Sequence, residues 1–246
     1  MMSSRMRFAV VTVATVFTMG VTASLGFWQL DRARQKIALQ EQIDQRANLS
    51  AWQTADLLEA SNPVDGVHRP VQLQGTWVSE ASVFLDNRQM NARNGFILVT
   101  PLKLPGSPHA VLVQRGWVPR DFTDRSRVPA IDTPSGVVQV EGRLAPPPGK
   151  LYELGEAGTG AIRQNINLGA LAQETGLSLL AVSVQQTGVS PEGLLREWPR
   201  AAVGVDKHHG YAFQWFGLCA LAGLLYLWFQ IISPRRKRIS HGTDAR

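Results

Sequence analysis

The chain has 246 residues, a formal net charge of +6 and a single cysteine, Cys219. One cysteine rules out an intrachain disulfide framework and a Cys-x-x-Cys thiol site, and with them Cu(I) delivery through paired thiolates. The positive excess sits at the ends. Residues 31–210 hold 18 Lys/Arg against 18 Asp/Glu, whereas Arg5 and Arg7 lead the chain and Arg235, Arg236, Lys237, Arg238 and Arg246 close it against Asp244. That distribution marks a membrane protein with cytoplasmic basic ends. It is poor evidence for nucleic-acid binding, which needs a basic face on the folded domain.

After a short N-terminus (1–7), residues 8–30 form an uncharged run of 23 residues. A cleaved signal peptide is the alternative. The run is long for one, and no small-x-small cleavage site stands beside a polar flank, so an uncleaved anchor is favoured. Thr12, Thr15, Thr18 and Thr22 recur three or four residues apart, with Gly20 and Ser24 nearby. Such a face suits close packing on another helix in lipid. Asp31 to Asn48 continues the helix. Ser50 to Gln53 reads as a capping box that opens a short helix to about Ala60.

The central region has strand patterning. Val71–Trp77 alternates apolar with polar, Ser82–Asp86 forms a short strand, and Asn87–Gly95 reads as a polar loop. Phe96–Leu104 and Ala110–Val118 make a hairpin around Pro105-Gly-Ser-Pro108. Val137–Leu144 is a further strand, followed by the glycine-rich stretch Gly155–Gly160, read as a mobile loop. Asn167–Thr175 reads as a helix ended by Gly176, and Leu179–Thr187 as the last strand. The expected fold is a mainly-β (α+β) extracytoplasmic domain over 31–210, an antiparallel sheet or small barrel, flanked by two transmembrane helices.

The second span, Tyr211–Ile232, has 22 residues without charge. As a helix it would reach about 33 Å, close to the apolar thickness of a bilayer. The tail 233–246 follows, with the block Arg235–Arg238 setting both termini on the cytoplasmic side. The spans mirror each other: the first leaves with Trp28-Gln29 and the second begins with Gln214-Trp215. The tryptophans suit an interfacial aromatic belt. Gln29 and Gln214 are costly in an apolar zone and are expected to find each other, a backbone group or a ligand.

Three stretches resemble the Surfeit-locus-one family of cytochrome oxidase assembly proteins. They are Leu25-Gly-Phe-Trp-Gln-Leu-Asp-Arg32; Asn87-Arg88 with Gly95, Pro101 and Val113-Gln-Arg-Gly-Trp-Val-Pro119; and Lys207-His-His-Gly-Tyr-Ala-Phe-Gln-Trp-Phe216, preceded by Leu195-Arg-Glu-Trp-Pro199. With the two-span layout the resemblance covers nearly the whole chain. Many members carry a tryptophan-rich segment with an aspartate where this chain has Ala161–Leu168, which holds no aromatic residue, so any role of that segment is not carried over.

The resemblance implies a non-enzymatic function; with the charge pattern, the expectation is a bacterial inner-membrane protein, N-in and C-in, with its central domain in the periplasm. It implies a role in building haem-copper cytochrome c oxidase around haem a insertion. The implied partners are the oxidase large subunit and the haem a synthesis machinery, and some bacterial members bind haem a. His208 matches the family's histidine three residues before Tyr211. On a regular helix His208, Tyr211, Trp215 and Leu218 share a face, while His209 points about 100° away. His208 is thus either an interfacial polar residue or a haem axial ligand, with Tyr211, Trp215, Trp28, Gln29 and Gln214 around it. Arg88, Arg115 and Arg196 either pair with surface acids or dock propionates or a partner's carboxylates. Trp117 and Trp198 read as packing residues. His68 and His109 are expected to be solvated.

Two other functions are open. A scaffold that binds assembly intermediates without touching haem would tolerate alanine at position 208. A membrane-anchored envelope enzyme would need a catalytic group assembled in space, since no Gly-x-Ser-x-Gly, His-Glu-x-x-His or Cys-x-x-Cys motif occurs.

Overall fold

A computed structural model describes residues 3–121, 123–124, 127–152, 160–199 and 204–233. Residues 155–159 of the glycine-rich stretch and the basic block 235–238 lie outside them. The chain divides into a helical unit, Met1–Glu41 with Arg200–Arg246, and a β unit, Gln42–Pro199.

In the β unit, β2 (Pro70–Trp77), β6 (Val137–Ala145), β8 (Ser178–Gln186), β5 (His109–Pro119) and β4 (Arg93–Lys103) pair in that order, and β4 returns to β2 through Thr76–Lys103 and Trp77–Leu102. The result is a five-stranded barrel. β3 (Val83–Met90) pairs on β4, β7 (Ile162–Arg163) on β3, and β1 (Trp52–Gln53) on β2. Closure depends on Gly75: a Cβ there would lie 2.5 Å from the Lys103 carbonyl oxygen. Only a glycine lets β2 cross so close to β4.

The barrel is mixed, which corrects the purely antiparallel alternative. β5 and β8 run parallel, with Leu112 opposite Ser183 and Val113 opposite Val184. Parallel partners need a long connection, and the stretch between β5 and β8, which carries β6 and α3 (Leu168–Thr175), supplies one. Helix α3 starts where the Asn167 side chain accepts from the Ala170 N–H and ends at Gly176 in the left-handed conformation.

Inside the barrel, Val71, Leu73, Leu102, Val111, Val113, Val140, Leu144, Val182 and Val184 form the main core. Two further clusters cover β4 and β5 from other sides. Leu171 and Ile166 pack on Val83, Leu85, Val99 and Leu112, and Leu194 packs on Phe84, Phe96 and Leu98. Burial from both faces explains why β4 and β5 read as continuous apolar runs, while β2, with one solvated face, alternates.

Two local expectations are corrected. Asn87–Gly95 is no loop: β3 continues to Met90 and β4 begins at Arg93, leaving Asn91 and Ala92, both with positive φ, as the turn. A register shift between Leu85 and Arg88, with Asn87 at φ 58°, lets the strand continue with Asn87 and Gln89 exposed and Met90 buried. The capping box is Gln53 with Asp56 instead of Ser50 with Gln53. Asp56 accepts from the Gln53 N–H at 2.7 Å, and α2 spans Thr54–Glu59. The three-residue shift arises because Trp52 and Gln53 pair with Val71 and Gln72 of β2.

In the helical unit, α1 is one helix from Ser4 to Ala47, its last residues belonging to the β unit. Helix α4 spans Val205–Tyr226 and continues as a π turn through Leu227–Ile232. Both are long and apolar enough to cross a membrane. Phe17, Phe213, Leu224 and Phe229 are exposed. Large apolar residues turned outward all along a helix pair belong in lipid, and the protein is a membrane protein.

Candidate functional site

The two long helices run antiparallel and meet along one seam. α1 contributes Thr12, Met19, Gly26 and Gln29; α4 contributes Tyr226, Gly223, Cys219, Phe216 and His208. Their gaps of three, four, seven and eight residues are those of two helices sharing a stripe. At one end the Tyr226 hydroxyl bonds to Thr12 Oγ1 at 2.8 Å. Thr12 gives its own proton to the Phe8 carbonyl, so Tyr226 is the donor. In the middle, the Cys219 thiol points at the Met19 carbonyl at 3.5 Å. Phe216 lies edge-on to Phe27, with ring centroids 5.2 Å apart. Thr15, Thr22 and Ser24 return their hydroxyl protons to carbonyls one turn back, which satisfies them without water.

At the other end, His208 Nδ1 meets Gln29 Oε1 at 2.8 Å. Gln29 therefore pairs with the histidine, whereas Gln214 is exposed. Tyr211 and Leu218 are about half exposed, at 51% and 49%, and Trp215 is half-buried. The face shared by His208, Tyr211, Trp215 and Leu218 thus flanks the seam, with His208 at its edge. His209 is exposed. Trp28, 48% exposed, lies under the Arg32 guanidinium, 5.6 Å from its ring centroid. The sequence pointed to Thr12, Thr15, Thr18 and Thr22, with Gly20 and Ser24, for close packing; Gly26 against Phe216 and Gly223 against Met19 emerge only with the partner helix in place.

The three arginines read as either pairing with surface acids or docking carboxylates turn inward. The Arg115 side chain is fully enclosed and bonds to Glu192 Oε1 at 2.7 Å, Thr133 Oγ1 at 2.7 Å and the Asp132 carbonyl at 3.1 Å. Its guanidinium also lies 5.0 Å from the Trp77 ring centroid. Arg196 donates to the carbonyls of Arg115, Thr187 and Val189. Arg88 donates to the Gln164 carbonyl at 2.9 Å. Arg115 and Arg196 serve this domain's own oxygens and tie the segment after β8 to the barrel, helped by paired backbone bonds between Trp117 and Leu195. For Arg115 the docking role is corrected, since a guanidinium with no exposed surface cannot meet an outside carboxylate. Glu192 escaped the sequence reading because its main partner, Arg115, is 77 residues away.

Trp117 is buried and donates from Nε1 to the Arg88 carbonyl, and Trp198 donates to the Gln186 carbonyl. His109 pairs with Ser178 Oγ at 3.0 Å. His68, at φ 76°, is half-buried and not freely solvated. Burial, then the nearby Arg143 and Arg46 charges, push its pKa down.

Burial alone would raise the Glu192 pKa, but hydrogen bonds from Arg115, its own backbone N–H and Ser190 outweigh burial and hold it below the ordinary 4.5. A depressed folded-state pKa stabilises above the unfolded value and loses that contribution as pH falls through the folded value. The domain's unfolding midpoint is therefore expected to drop as pH falls below 4.5, and Glu192→Gln should flatten that part of the profile. An unchanged acid profile in Glu192→Gln would remove Glu192 from the account.

Fold and site together define a class: a membrane-anchored barrel protein whose helix pair presents one histidine, orientated by a glutamine. The SURF1 family model matches residues 16–220. Surfeit locus protein 1 of Arabidopsis thaliana is 31% identical over 121 residues, 44% of this chain and 33% of that protein. Surfeit locus protein 1 of Rattus norvegicus is 24% identical over 236 residues, 87% of this chain and 73% of that protein. A SURF1-like protein of Rickettsia felis is 27% identical over 119 residues, 47% of this chain and 48% of that protein. The chain belongs to the SURF1 family. Members are cytochrome oxidase assembly factors, which supports an assembly role over a catalytic one.

Proposed function

We propose that the protein assists assembly of haem-copper cytochrome c oxidase by holding haem a, as cargo, at the His208 end of its helix pair before transfer to the oxidase large subunit. The observation that carries this reading is the Gln29–His208 bond. It occupies Nδ1 of the imidazole and leaves Nε2 for a ligand. Among the described residues no group of three or more His, Cys, Asp and Glu side chains could hold a bare metal ion. A porphyrin iron brings four nitrogens of its own and needs only an axial ligand from the protein, so the donor set suits haem.

Tyr211, Trp215 and Trp28 supply aromatic surface beside the histidine, and the lipid around the pair accommodates an isoprenoid tail. Arg32, stacked on Trp28, is a guanidinium on the site's own helix suited to a propionate. The haem a synthesis machinery is the proposed donor. The basic C-terminal block favours both termini in the cytoplasm, with the barrel domain in the periplasm of a bacterial inner membrane. A single axial histidine keeps affinity limited, as a carrier requires.

The test is a deletion strain complemented with wild type, His208→Ala or His209→Ala at equal protein level. Haem a absorbance and oxidase activity in its membranes are expected to return with wild type and His209→Ala but not with His208→Ala. Full restoration by both variants would favour a scaffold that never touches haem. Normal haem a and activity in the uncomplemented deletion would contradict the assembly role.

A further inference from the structure

The Gln29–His208 hydrogen bond decides which ring nitrogen can act. Gln29 Oε1, 2.8 Å from Nδ1, is a carbonyl oxygen and can only accept. The imidazole proton must therefore sit on Nδ1. A neutral imidazole carries one proton, so Nε2, across the ring, holds the lone pair. Histidines that ligate metals almost always donate from their other nitrogen to an oxygen, which fixes the tautomer and raises ligand basicity.

The two residues are 179 positions apart and come from different helices. The tautomer is thus set by the pairing of α1 with α4 and by nothing within α4 itself. Gln29 also sits at the edge of an uncharged run, where a carboxamide without a partner is costly. Ala212, one turn beyond His208, is buried at 2% exposure.

We propose that Gln29 is the positioning residue of this site: it holds His208 as the Nδ1–H tautomer, with Nε2 presented as a neutral base to an iron porphyrin. The part concerning iron rests on the haem reading above. The part concerning the tautomer stands without it.

The experiment uses the full-length protein in lipid nanodiscs with 15N-labelled histidine, His208→Ala serving to assign the resonance. Wild type is expected to show a protonated Nδ1 and an unprotonated Nε2 for His208. Gln29→Leu should shift His208 toward the Nε2–H tautomer that free imidazole side chains favour in water, and Gln29→Glu, which keeps an accepting oxygen, should restore Nδ1–H. Protection of Cys219 from a lipid-soluble maleimide, unchanged in Gln29→Leu, shows that the helix pair persists and that the shift is local.

With haem a as the probe, Gln29→Leu is expected to bind about 10- to 100-fold more weakly. Gln29→Glu should retain binding with a lowered midpoint potential, since a carboxylate makes the imidazole more basic. A wild-type His208 protonated on Nε2, or a tautomer unmoved in Gln29→Leu, would overturn the proposal. A wild-type protein with the expected tautomer that takes up no haem would contradict the haem reading and support the Gln29 assignment.

Discussion

Replacing Arg115 with alanine is expected to destabilise the barrel domain by roughly 3–5 kcal/mol, the range for removing one partner of a buried ion pair. Arg115 has no exposed side-chain surface, and its partner Glu192 retains 11%. Removing the guanidinium strips the Glu192 carboxylate of its 2.7 Å partner, leaves Thr133 Oγ1 and the Asp132 carbonyl without their donor, and opens a void under Trp77. It also loosens the segment after β8, because Arg196 and Leu195 are tied to the same stretch of β5.

Unfolding of the full chain in detergent, followed by tryptophan fluorescence, reads the loss. A double replacement, Arg115→Met with Glu192→Leu, should recover much of it, because the cost comes mainly from the stranded carboxylate. A loss below about 1 kcal/mol would be that of an exposed surface pair and would return Arg115 to the docking role.

Gly26→Leu is expected to have the second large effect, on the helix pair. A Cβ at position 26 would already stand 2.7 Å from the Cε1 and Cζ atoms of Phe216, and Phe216 is held edge-on against Phe27. Overpacking of this kind costs typically about 1–3 kcal/mol, which corresponds to roughly 5- to 150-fold in an opening equilibrium. The His208–Gln29 and Cys219–Met19 contacts lie on either side of the clash. Labelling of Cys219 by a lipid-soluble maleimide should therefore accelerate by a factor in that range, and the His208 tautomer should be lost with it. Gly26→Ala should give a smaller change, and no change in Gly26→Leu would mean that the seam does not run through this position.

Much of the architecture was legible because membrane and strand patterns are strong signals. Uncharged runs of this length have few alternatives in a soluble protein, and the Phe96–Val118 hairpin is announced by Pro105-Gly-Ser-Pro108. Barrel closure was not legible, because it depends on which distant strands meet. β5 beside β8 and the crossing at Gly75 are long-range facts with no local pattern. The polar strand Asn87–Met90 was misread because a solvated strand face and a loop share the same residue types.

The site was half legible. His208 and Gln29 each stood out as polar groups at the edge of apolar runs, yet their pairing required the register of two helices. For Arg115, pairing with an acid of its own domain was one of the two readings, but the burial of that pair with Glu192 was not legible. In sequence Arg115 looks like any charged residue among apolar ones, and only its enclosure by Glu192, Thr133 and Trp77 reveals a residue that holds its own domain together.

His208 is proposed to present its free nitrogen to the iron of haem a. The most direct measurement is a titration of purified full-length protein, wild type and His208→Ala, with haem a, followed by its visible spectrum. A saturable histidine-ligated spectrum in wild type, lost or weakened at least about tenfold in His208→Ala, is the predicted result. Equal spectra and equal affinity in the two proteins would contradict it.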